Sequence, residues 1–306
     1  MGKPNINLFI VGAAKSGTTS LYNYLKSHSD VFFPLVKEPN YYSDIESEDK
    51  LVYNNPKPKK FYHNKIINDR DVYYSLYKDS KNYSVVGDAS PSYLWDKNSA
   101  KRIYDDFPNA KIIIILRNPI NRAFSHYLMN IKSGVEKEDD FLKALIRDEN
   151  TFPKVWGDGK VMLYKELGMY FSQVKSYYNV FKKENIKVII YEEFFKDTQK
   201  GINSVLEFLR LPNFKPGELD LDKKHNVYRS PKGKISKLLL RKKEKFDFAR
   251  NVTPRWLKKF IQNAFLFKNS SKPEISKEAF DYLSSAFERE VLGLEKLLDK
   301  KLDAWK

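Results

Sequence analysis

The feature that most constrains the fold is a run near the N-terminus, Leu8–Leu21. Here an apolar stretch passes through a turn rich in Gly, Lys, Ser and Thr into an amphipathic stretch. That order predicts a buried strand, a tight loop and a helix. Gly12 and Gly17 permit backbone conformations that a Cβ would hinder. The N–H groups of such a loop lie at the positive end of the helix and converge on an anion. The sequence therefore predicts a phosphate-binding loop; the alternative is a strand that merely turns into a helix.

The lysine of this loop is displaced from the position that nucleotide triphosphatases use. Their loop reads G-x-x-x-x-G-K-[ST], with the lysine directly after the second glycine. Gly12 and Gly17 have that separation, but Thr18 occupies the lysine position and Lys15 lies inside the loop. The pattern indicates a phosphate cradle in which the groups that hold a metal-bound triphosphate are altered.

A second anion site is predicted after the apolar run 111–116. This run is continuous and rich in isoleucine, as expected for a strand buried in a parallel sheet, and Arg117 follows it. Asn118 is a good N-cap and precedes a proline, so a helix should begin there and continue to about residue 131. Nucleotide triphosphatases often end such a strand with a metal-binding aspartate. A guanidinium, with the Ser125 hydroxyl about two turns into the helix, suits a phosphate monoester instead.

The two motifs, Ala14–Ser20 and Ile115–Tyr127, resemble those of the sulfotransferase family, which uses 3′-phosphoadenosine 5′-phosphosulfate. In that family the first loop holds the 5′-phosphosulfate, and the arginine and serine of the second motif hold the 3′-phosphate. The resemblance implies this nucleotide as donor, 3′,5′-bisphosphoadenosine as product and no metal. Carried over by position, it implies that the donor is held by Lys15, Ser16, Gly17, Thr18, Thr19, Ser20, Arg117 and Ser125.

The segment 33–42 resembles a Lys-Glu-Pro-His-Phe-Phe segment of the glycan-modifying branch of this family, whose glutamate acts as base. The resemblance implies that Glu38 is the base, with Lys37 beside it. Asn40 stands where that branch commonly has histidine. Sulfuryl transfer also benefits from a cation near the bridging oxygen, and Lys15 is the obvious candidate. The alternative for Glu38 is a solvated acid before a proline turn.

Other segments extend the resemblance along the chain. Val86–Tyr93 resembles the segment that follows the second core strand in the glycan-modifying branch, and 287–305 is similar to the closing helix of many bacterial members. Lys187–Phe194 resembles the later strand whose tyrosine lies near the adenine, which nominates Tyr191. A basic segment late in the chain resembles the one that closes over the 3′-phosphate. It nominates Arg229, Lys232 and Gly233, with a solvated basic loop as the alternative.

The coarse pattern alternates strands and helices, which predicts a single α/β domain over 5–306 with a central parallel sheet flanked by helices. The family resemblance implies the P-loop-like sulfotransferase fold. A surface loop or insertion is predicted at 44–70, a long amphipathic helix at about 162–181, and a largely helical C-terminal part.

Composition adds a charge argument. The net charge of +16 attracts anions, including a nucleotide donor and an acidic acceptor, although genomic base composition alone produces lysine-rich chains. No cysteine is present and the four histidines show no metal-ligand spacing, so no metal site is expected. The sequence shows neither a secretory pattern nor an apolar run of membrane-spanning length, and we expect a cytoplasmic protein.

Three functions from different classes follow. The first is a sulfotransferase that acts on a hydroxyl, or less readily an amine, of a carbohydrate or glycoconjugate. The second is a P-loop nucleotide kinase or hydrolase, which Thr18 and Arg117 disfavour. The third is a non-catalytic basic protein that binds nucleic acid or an anionic membrane surface, supported by interleaved basic and aromatic residues at 232–245 and 253–267. For the sulfotransferase, no nucleic acid is expected as partner.

Overall fold

The structure, a computed structural model, describes residues 2–44, 67–154, 162–214 and 273–305, together with three short strands at 62–63, 229–231 and 267–269. The strands of this part of the chain are β1 Leu8–Gly12, β2 Val31–Phe32, β3 Val36–Lys37, β4 Tyr62–His63, β5 Val85–Ala89, β6 Lys111–Leu116, β7 Ile186–Ile190, β8 Arg229–Pro231 and β9 Phe267–Asn269.

The helices pack around these strands. Their bounds are α1 Thr18–Lys26, α2 Arg70–Ser75, α3 Ser92–Trp95, α4 Ser99–Asp106, α5 Pro119–Ser133, α6 Phe141–Glu149, α7 Tyr170–Tyr178, α8 Tyr191–Lys196, α9 Thr198–Leu209 and α10 Lys277–Leu298. Short 3₁₀ turns lie at Glu166–Gly168, Lys183–Asn185 and Asp303–Trp305. None of the helices in the described ranges combines the length and apolarity needed to cross a membrane.

A five-stranded sheet with the order β2–β5–β1–β6–β7 forms the centre of the fold. All four strand pairs are parallel. The predicted α/β domain with a parallel sheet flanked by helices is therefore confirmed. Because the strands are parallel, the carboxyl ends of β1, β5, β6 and β7 meet at one edge of the sheet, and the segments that follow them converge there.

The sheet is buried on both faces, which explains the continuous apolar runs in its strands. In β6, Ile112 and Ile114 pack with one core cluster while Ile113 and Ile115 pack with the other. The first cluster includes α4, α7 and the C-terminal residues, and the second includes α1 and α9. Each fully buried aliphatic side chain contributes about 1.5–3 kcal/mol relative to its exposed state. These strands therefore form a rigid base for the loops at the carboxyl edge.

The helix predicted after Arg117 is confirmed. The Asn118 side chain caps α5 by accepting hydrogen bonds from the N–H groups of Ile120 and Asn121. The helix continues to Ser133, slightly beyond the predicted end, and stops where Gly134 adopts a left-handed conformation with φ 79°. A left-handed glycine is a common way for a helix to end.

The predicted helix over 162–181 is wrong in its first half, because α7 begins only at Tyr170. Leu163 has a left-handed φ of 55°, and the N–H of Tyr164 donates to the Asp148 carboxylate at 2.8 Å. A left-handed backbone at Leu163 is incompatible with an α-helix that continues through this position. Amphipathic spacing cannot reveal such a local backbone conformation.

Two other segments differ in detail from the sequence pattern. In the segment Lys187–Phe194 the strand β7 ends at Ile190, and Tyr191 begins α8. In the basic segment, for which a solvated loop was the alternative, Arg229–Pro231 forms β8, which pairs antiparallel with β9. The prediction of a helical C-terminal part is confirmed for α10. Most of the predicted insertion 44–70 lies outside the described residues; its strand β4 pairs with β3.

Candidate active site

The phosphate-binding loop connects β1 to α1. Gly17 precedes α1 with φ 93°, a conformation that favours glycine. A Cβ on Gly17 would lie 2.8 Å from the Phe195 ring and 3.2 Å from the Tyr191 ring. The loop therefore requires glycine both for its backbone conformation and for the aromatic side chains of α8 that pack against it.

The two predicted anion sites are physically joined. The Arg117 guanidinium donates a hydrogen bond from Nη1 to the backbone oxygen of Lys15 at 3.3 Å. The same guanidinium lies 4.6 Å from the centre of the Tyr191 ring. Strands β1, β6 and β7 thus bring three of the predicted residues together, although they are far apart in sequence.

Arg117 retains capacity for an anion. Its Nε atom is buried and, within the described residues, has no hydrogen-bond partner. A buried donor without a partner is costly unless a ligand or water satisfies it. A phosphate oxygen would do so.

Lys15 lies close to other positively charged side chains. Its Nζ atom is 3.3 Å from Met129 Sδ on α5. Burial, followed by the charges of Arg117 and then Arg122, lowers the pKa of Lys15 to about 8, while Glu38 acts in the opposite direction. Like charges gathered at one half-buried site favour an anionic ligand, because a bound anion relieves their repulsion. These residues therefore fit the multiply charged donor implied by the sequence.

The remaining residues of the loop differ in what they can offer a ligand. Ser16 is fully buried and Thr18 and Ser20 are nearly so. The Ser16 hydroxyl lies beside the Tyr170 hydroxyl. The Tyr170 hydroxyl also faces the backbone N–H of Arg117. Thr19 is partly exposed, and its Oγ1 accepts a hydrogen bond from Lys37 at 3.3 Å. The Ser16 side chain therefore faces the interior of the protein, a placement that the sequence pattern did not reveal.

The predicted base lies beside the phosphate loop. Glu38 follows β3 and forms an ion pair with Lys37, whose side chain is only 4% exposed. Lys37 also donates to Thr19, so the predicted base and the first turn of α1 share one buried cation. Among the charges that act on the pKa of Lys15, the negative charge of Glu38 raises it, against the larger effects of burial and the neighbouring cations.

Ser125 and Met129 lie one turn apart on α5, and Ser125 is partly exposed. Strand β8, which contains Arg229, lies beside this helix. Lys232 and Gly233 fall outside the described residues. The predicted contacts of Arg229, Lys232 and Gly233 with the donor stay predictions.

A set of contacts that sequence reasoning missed holds the carboxyl ends of β6 and β7 together. Glu192 accepts a hydrogen bond from the backbone N–H of Asn118 at 3.0 Å and another from Trp305 Nε1 at 2.9 Å. The Asn118 side chain in turn donates to the Trp305 carbonyl at 3.1 Å. We call these three residues the strand-end clamp. Asn118 directly follows Arg117 and Glu192 directly follows Tyr191, while Trp305 contacts both Asn118 and Glu192.

Two further ionisable groups lie on α5. Arg122 is fully buried and donates to the backbone oxygen of Tyr164. His126 lies one turn further along, and burial, with Arg122 and Lys15 nearby, holds the pKa of its imidazole well below the usual range. The sequence position of Arg122 carries no signal of its burial, because α5 is amphipathic and charged residues on such helices usually face solvent.

No group of three His, Cys, Asp or Glu side chains in the described ranges could hold a metal ion.

The buried carboxylate of Asp88 lies at the end of β5. It accepts hydrogen bonds from Ser90, Tyr73 and Tyr93 at 2.7–2.8 Å. Burial raises the pKa of this carboxyl to about 6 despite those three donors. Asp88 is therefore occupied by hydroxyl groups of the protein.

The chain resembles known proteins over most of its length. A family described as the sulfotransferase domain matches residues 5–261. The crystal structure of a sulfotransferase from Alicyclobacillus acidocaldarius aligns with a TM-score of 0.71 and 28% identity, covering 100% of this chain and 99% of that chain.

Two curated relatives match part of the chain. Carbohydrate sulfotransferase 15 from Homo sapiens is 24% identical over 246 residues, which cover 67% of this chain and 44% of that protein. Heparan sulfate glucosamine 3-O-sulfotransferase 6 from Homo sapiens is 29% identical over 122 residues, which cover 40% of this chain and 30% of that protein. The matched part of this chain thus spans less than half the length of either relative.

Proposed function

Because this chain belongs to the sulfotransferase domain family, we propose that it transfers a sulfuryl group from 3′-phosphoadenosine 5′-phosphosulfate to a hydroxyl group, with 3′,5′-bisphosphoadenosine as the product. One observation carries this proposal. Arg117 at the end of β6 and Lys15 in the loop after β1 are joined by a hydrogen bond, so two cations occupy adjoining strand ends. A nucleotide with phosphate groups on both the 3′ and the 5′ oxygen of its ribose matches two adjoining cationic sites.

The residue types at these two strand ends separate the proposal from a nucleotide kinase. A kinase of the P-loop type needs a lysine directly after the second glycine and carboxylate or hydroxyl ligands for magnesium. Here Thr18 follows that glycine and Arg117 follows the strand. A guanidinium binds a phosphate monoester through parallel hydrogen bonds and does not ligate a metal ion.

In the proposed reaction the donor supplies a sulfuryl group on a good leaving group. A bond forms between the acceptor oxygen and sulfur, and the bond between sulfur and the bridging phosphate oxygen breaks. The electron pair of the broken bond leaves with the bisphosphate. Glu38 takes the proton of the acceptor hydroxyl as the new bond forms, in the manner of a general base.

Lys15 and Lys37 have different tasks in this mechanism. Lys15 is half-buried and faces the site, so it offsets the negative charge that grows on the departing phosphate oxygen. Lys37 is buried between Thr19 and Glu38 and keeps the base oriented through the ion pair. Thr18, Thr19 and Ser20 contribute the N–H groups at the start of α1, where the helix dipole favours an anion.

A carbohydrate or glycoconjugate is the proposed acceptor. The names of the two relatives, a carbohydrate sulfotransferase and a heparan sulfate glucosamine sulfotransferase, support this class. The net charge of +16 supports an acidic polysaccharide in particular, because opposite charges raise the rate of encounter. Fold and donor site alone do not select the acceptor. The cytoplasmic location also stays a prediction.

The experiment that tests the donor assignment measures thermal unfolding with 3′,5′-bisphosphoadenosine and with ATP. At a ligand concentration of about 100 times the dissociation constant, binding stabilises the folded state by about 2.7 kcal/mol. For a chain of 306 residues that corresponds to a Tm increase of about 4 °C. We expect this increase with the bisphosphate and a smaller one with ATP.

A matched pair of variants locates the effect. Arg117→Ala should remove most of the increase, whereas Lys101→Ala, which alters an exposed cation of α4, should leave it unchanged. Equal protection by ATP and the bisphosphate, unaffected by Arg117→Ala, would refute the donor assignment.

A further inference from the structure

We propose that Asn40 is a positioning residue that fixes Glu38 in its active orientation, and that it does so through a buried hydrogen-bond network anchored on Asp88. The proposal rests on the proposed function, in which Glu38 is the base. It assigns a role to the segment 86–93, which the donor site does not use.

The backbone at the predicted base adopts an unusual conformation. Glu38 has φ 58° and Asn40 has φ 55°, both in the left-handed region. Residues with a Cβ adopt this region at an energetic cost, although asparagine tolerates it better than most. Two such residues within three positions therefore require partners that hold the turn in place.

Asn40 supplies those partners. Its Nδ2 donates to the Glu38 carbonyl at 2.7 Å, and its Oδ1 accepts a hydrogen bond from Ser92 Oγ at 2.7 Å. Its backbone N–H donates to Ser90 Oγ at 3.2 Å. Both ends of the amide are used, so the orientation of the side chain is fixed, and with it the Glu38 peptide group.

Asp88 connects this turn to the central sheet. Ser90 Oγ, which accepts from Asn40, donates to Asp88 Oδ1 at 2.7 Å. The other carboxylate oxygen, Oδ2, accepts from Tyr73 and Tyr93 at 2.8 Å each. Asp88 belongs to β5 and is fully buried, as is Ser90. The predicted base is thereby tied to a rigid strand and not merely to its own loop.

The position of the Glu38 carboxylate matters because it must meet both the acceptor hydroxyl and Lys37. A change in φ at Glu38 would rotate the side chain away from the ion pair with Lys37, which is itself held by Thr19. Displacement of a reacting group by about 1 Å costs on the order of 10²-fold in rate. Loss of the network should therefore lower turnover and leave the donor site intact.

The test compares Asn40→Ala with Asn7→Ala. Asn7 is a matched control, since its side chain donates to Ser84 O and accepts from the Val86 N–H, each at 2.8 Å. It lies before β1, at the opposite end of the sheet from the site. Turnover is measured as bisphosphate formed from labelled 3′-phosphoadenosine 5′-phosphosulfate, with chondroitin, heparosan or water alone as acceptor.

We expect Asn40→Ala to lower kcat by about 10- to 100-fold and to leave the dissociation constant of 3′,5′-bisphosphoadenosine within about twofold. In a Glu38→Gln background the same substitution should have almost no further effect, because a residue that acts through Glu38 loses its role when the base is gone. Asn7→Ala should leave kcat unchanged. Ser92→Ala, a milder change that removes only one partner of the amide, should lower kcat in the same direction by a smaller factor.

A crystal structure of Asn40→Ala decides the question even without turnover. The proposal predicts that Glu38 leaves the left-handed region and that its contact with Lys37 is lost. It is overturned if Glu38 keeps its conformation, or if Asn40→Ala lowers kcat equally with and without the Glu38 carboxylate. A wild-type protein that binds no bisphosphate and forms none would refute the proposed function, while the crystal structure would still decide the positioning role.

Discussion

The lowered pKa of Lys15 predicts that donor binding depends on pH in a range where an ordinary lysine would be fully charged. Burial is the main cause of the shift, and the nearby guanidinium groups of Arg117 and Arg122 add to it. Binding is compared between pH 7 and pH 9.5 at constant ionic strength. The same comparison is made for Lys15→Arg, because arginine stays charged throughout this range.

The magnitude follows from the pKa of about 8 in the free protein. About 90% of Lys15 is then charged at pH 7 and only about 10% at pH 9. A multiply charged anion binds the charged form better, so binding raises the pKa of Lys15 and the protein takes up a proton. The association constant should therefore fall with rising pH above about 8, by up to roughly tenfold per unit. An unperturbed lysine, with a pKa near 10.4, would produce almost no change below pH 9.

Isothermal titration calorimetry with 3′,5′-bisphosphoadenosine measures both quantities. The dissociation constant is measured from pH 7 to 9.5, above the second phosphate pKa of about 6. Proton uptake is obtained near pH 8.5 from buffers of different ionisation enthalpy. Lys15→Arg should give a flat profile and no proton uptake. A flat profile for the wild-type protein, or the same slope in Lys15→Arg, would refute the link between Lys15 and the donor.

Three further predictions concern the clamp, the loop and metal. Trp305→Phe removes the indole donor to Glu192 and should lower the free energy of unfolding by about 1–2 kcal/mol and weaken bisphosphate binding; unchanged urea denaturation and calorimetry would show that the strand-end clamp has no role. Gly17→Ala places a Cβ 2.8 Å from the Phe195 ring at φ 93° and should abolish the thermal shift produced by the bisphosphate; a normal shift would contradict the need for glycine there. Transfer should survive EDTA, because Arg117 occupies the strand end where a metal-binding carboxylate would stand; complete loss of activity, restored by magnesium, would favour a kinase-like reaction.

The edge of the sheet that carries Lys15 and Arg117 could be predicted from sequence because its signals are local. The runs before Gly12 and Arg117 are continuously apolar, and strands of that kind lie in parallel sheets whose carboxyl ends meet. That reasoning places Lys15 near Arg117, as the hydrogen bond between them confirms.

The parts that could not be predicted depend on partners far away in sequence. Where the pattern predicted a helix at 162–181, Leu163 adopts a left-handed conformation and the N–H of Tyr164 donates to the Asp148 carboxylate. Trp305 reaches Glu192 across 113 residues, and Asn40 reaches Ser92 across 52. Periodicity describes which face of an element is apolar, but it carries no information about which distant side chain satisfies a given polar group.

Transfer of labelled sulfur from 3′-phosphoadenosine 5′-phosphosulfate to a polysaccharide measures the proposed reaction itself. The purified chain is incubated with ³⁵S-labelled donor and, in separate reactions, with desulfated chondroitin or heparosan, and the labelled polysaccharide and the nucleotide product are both quantified. We expect labelled polysaccharide and 3′,5′-bisphosphoadenosine in equal amounts, with the label lost in Arg117→Ala and kept in Lys101→Ala. The proposal is contradicted if no bisphosphate forms with either polysaccharide or with water as acceptor, while the chain transfers the γ-phosphate of ATP.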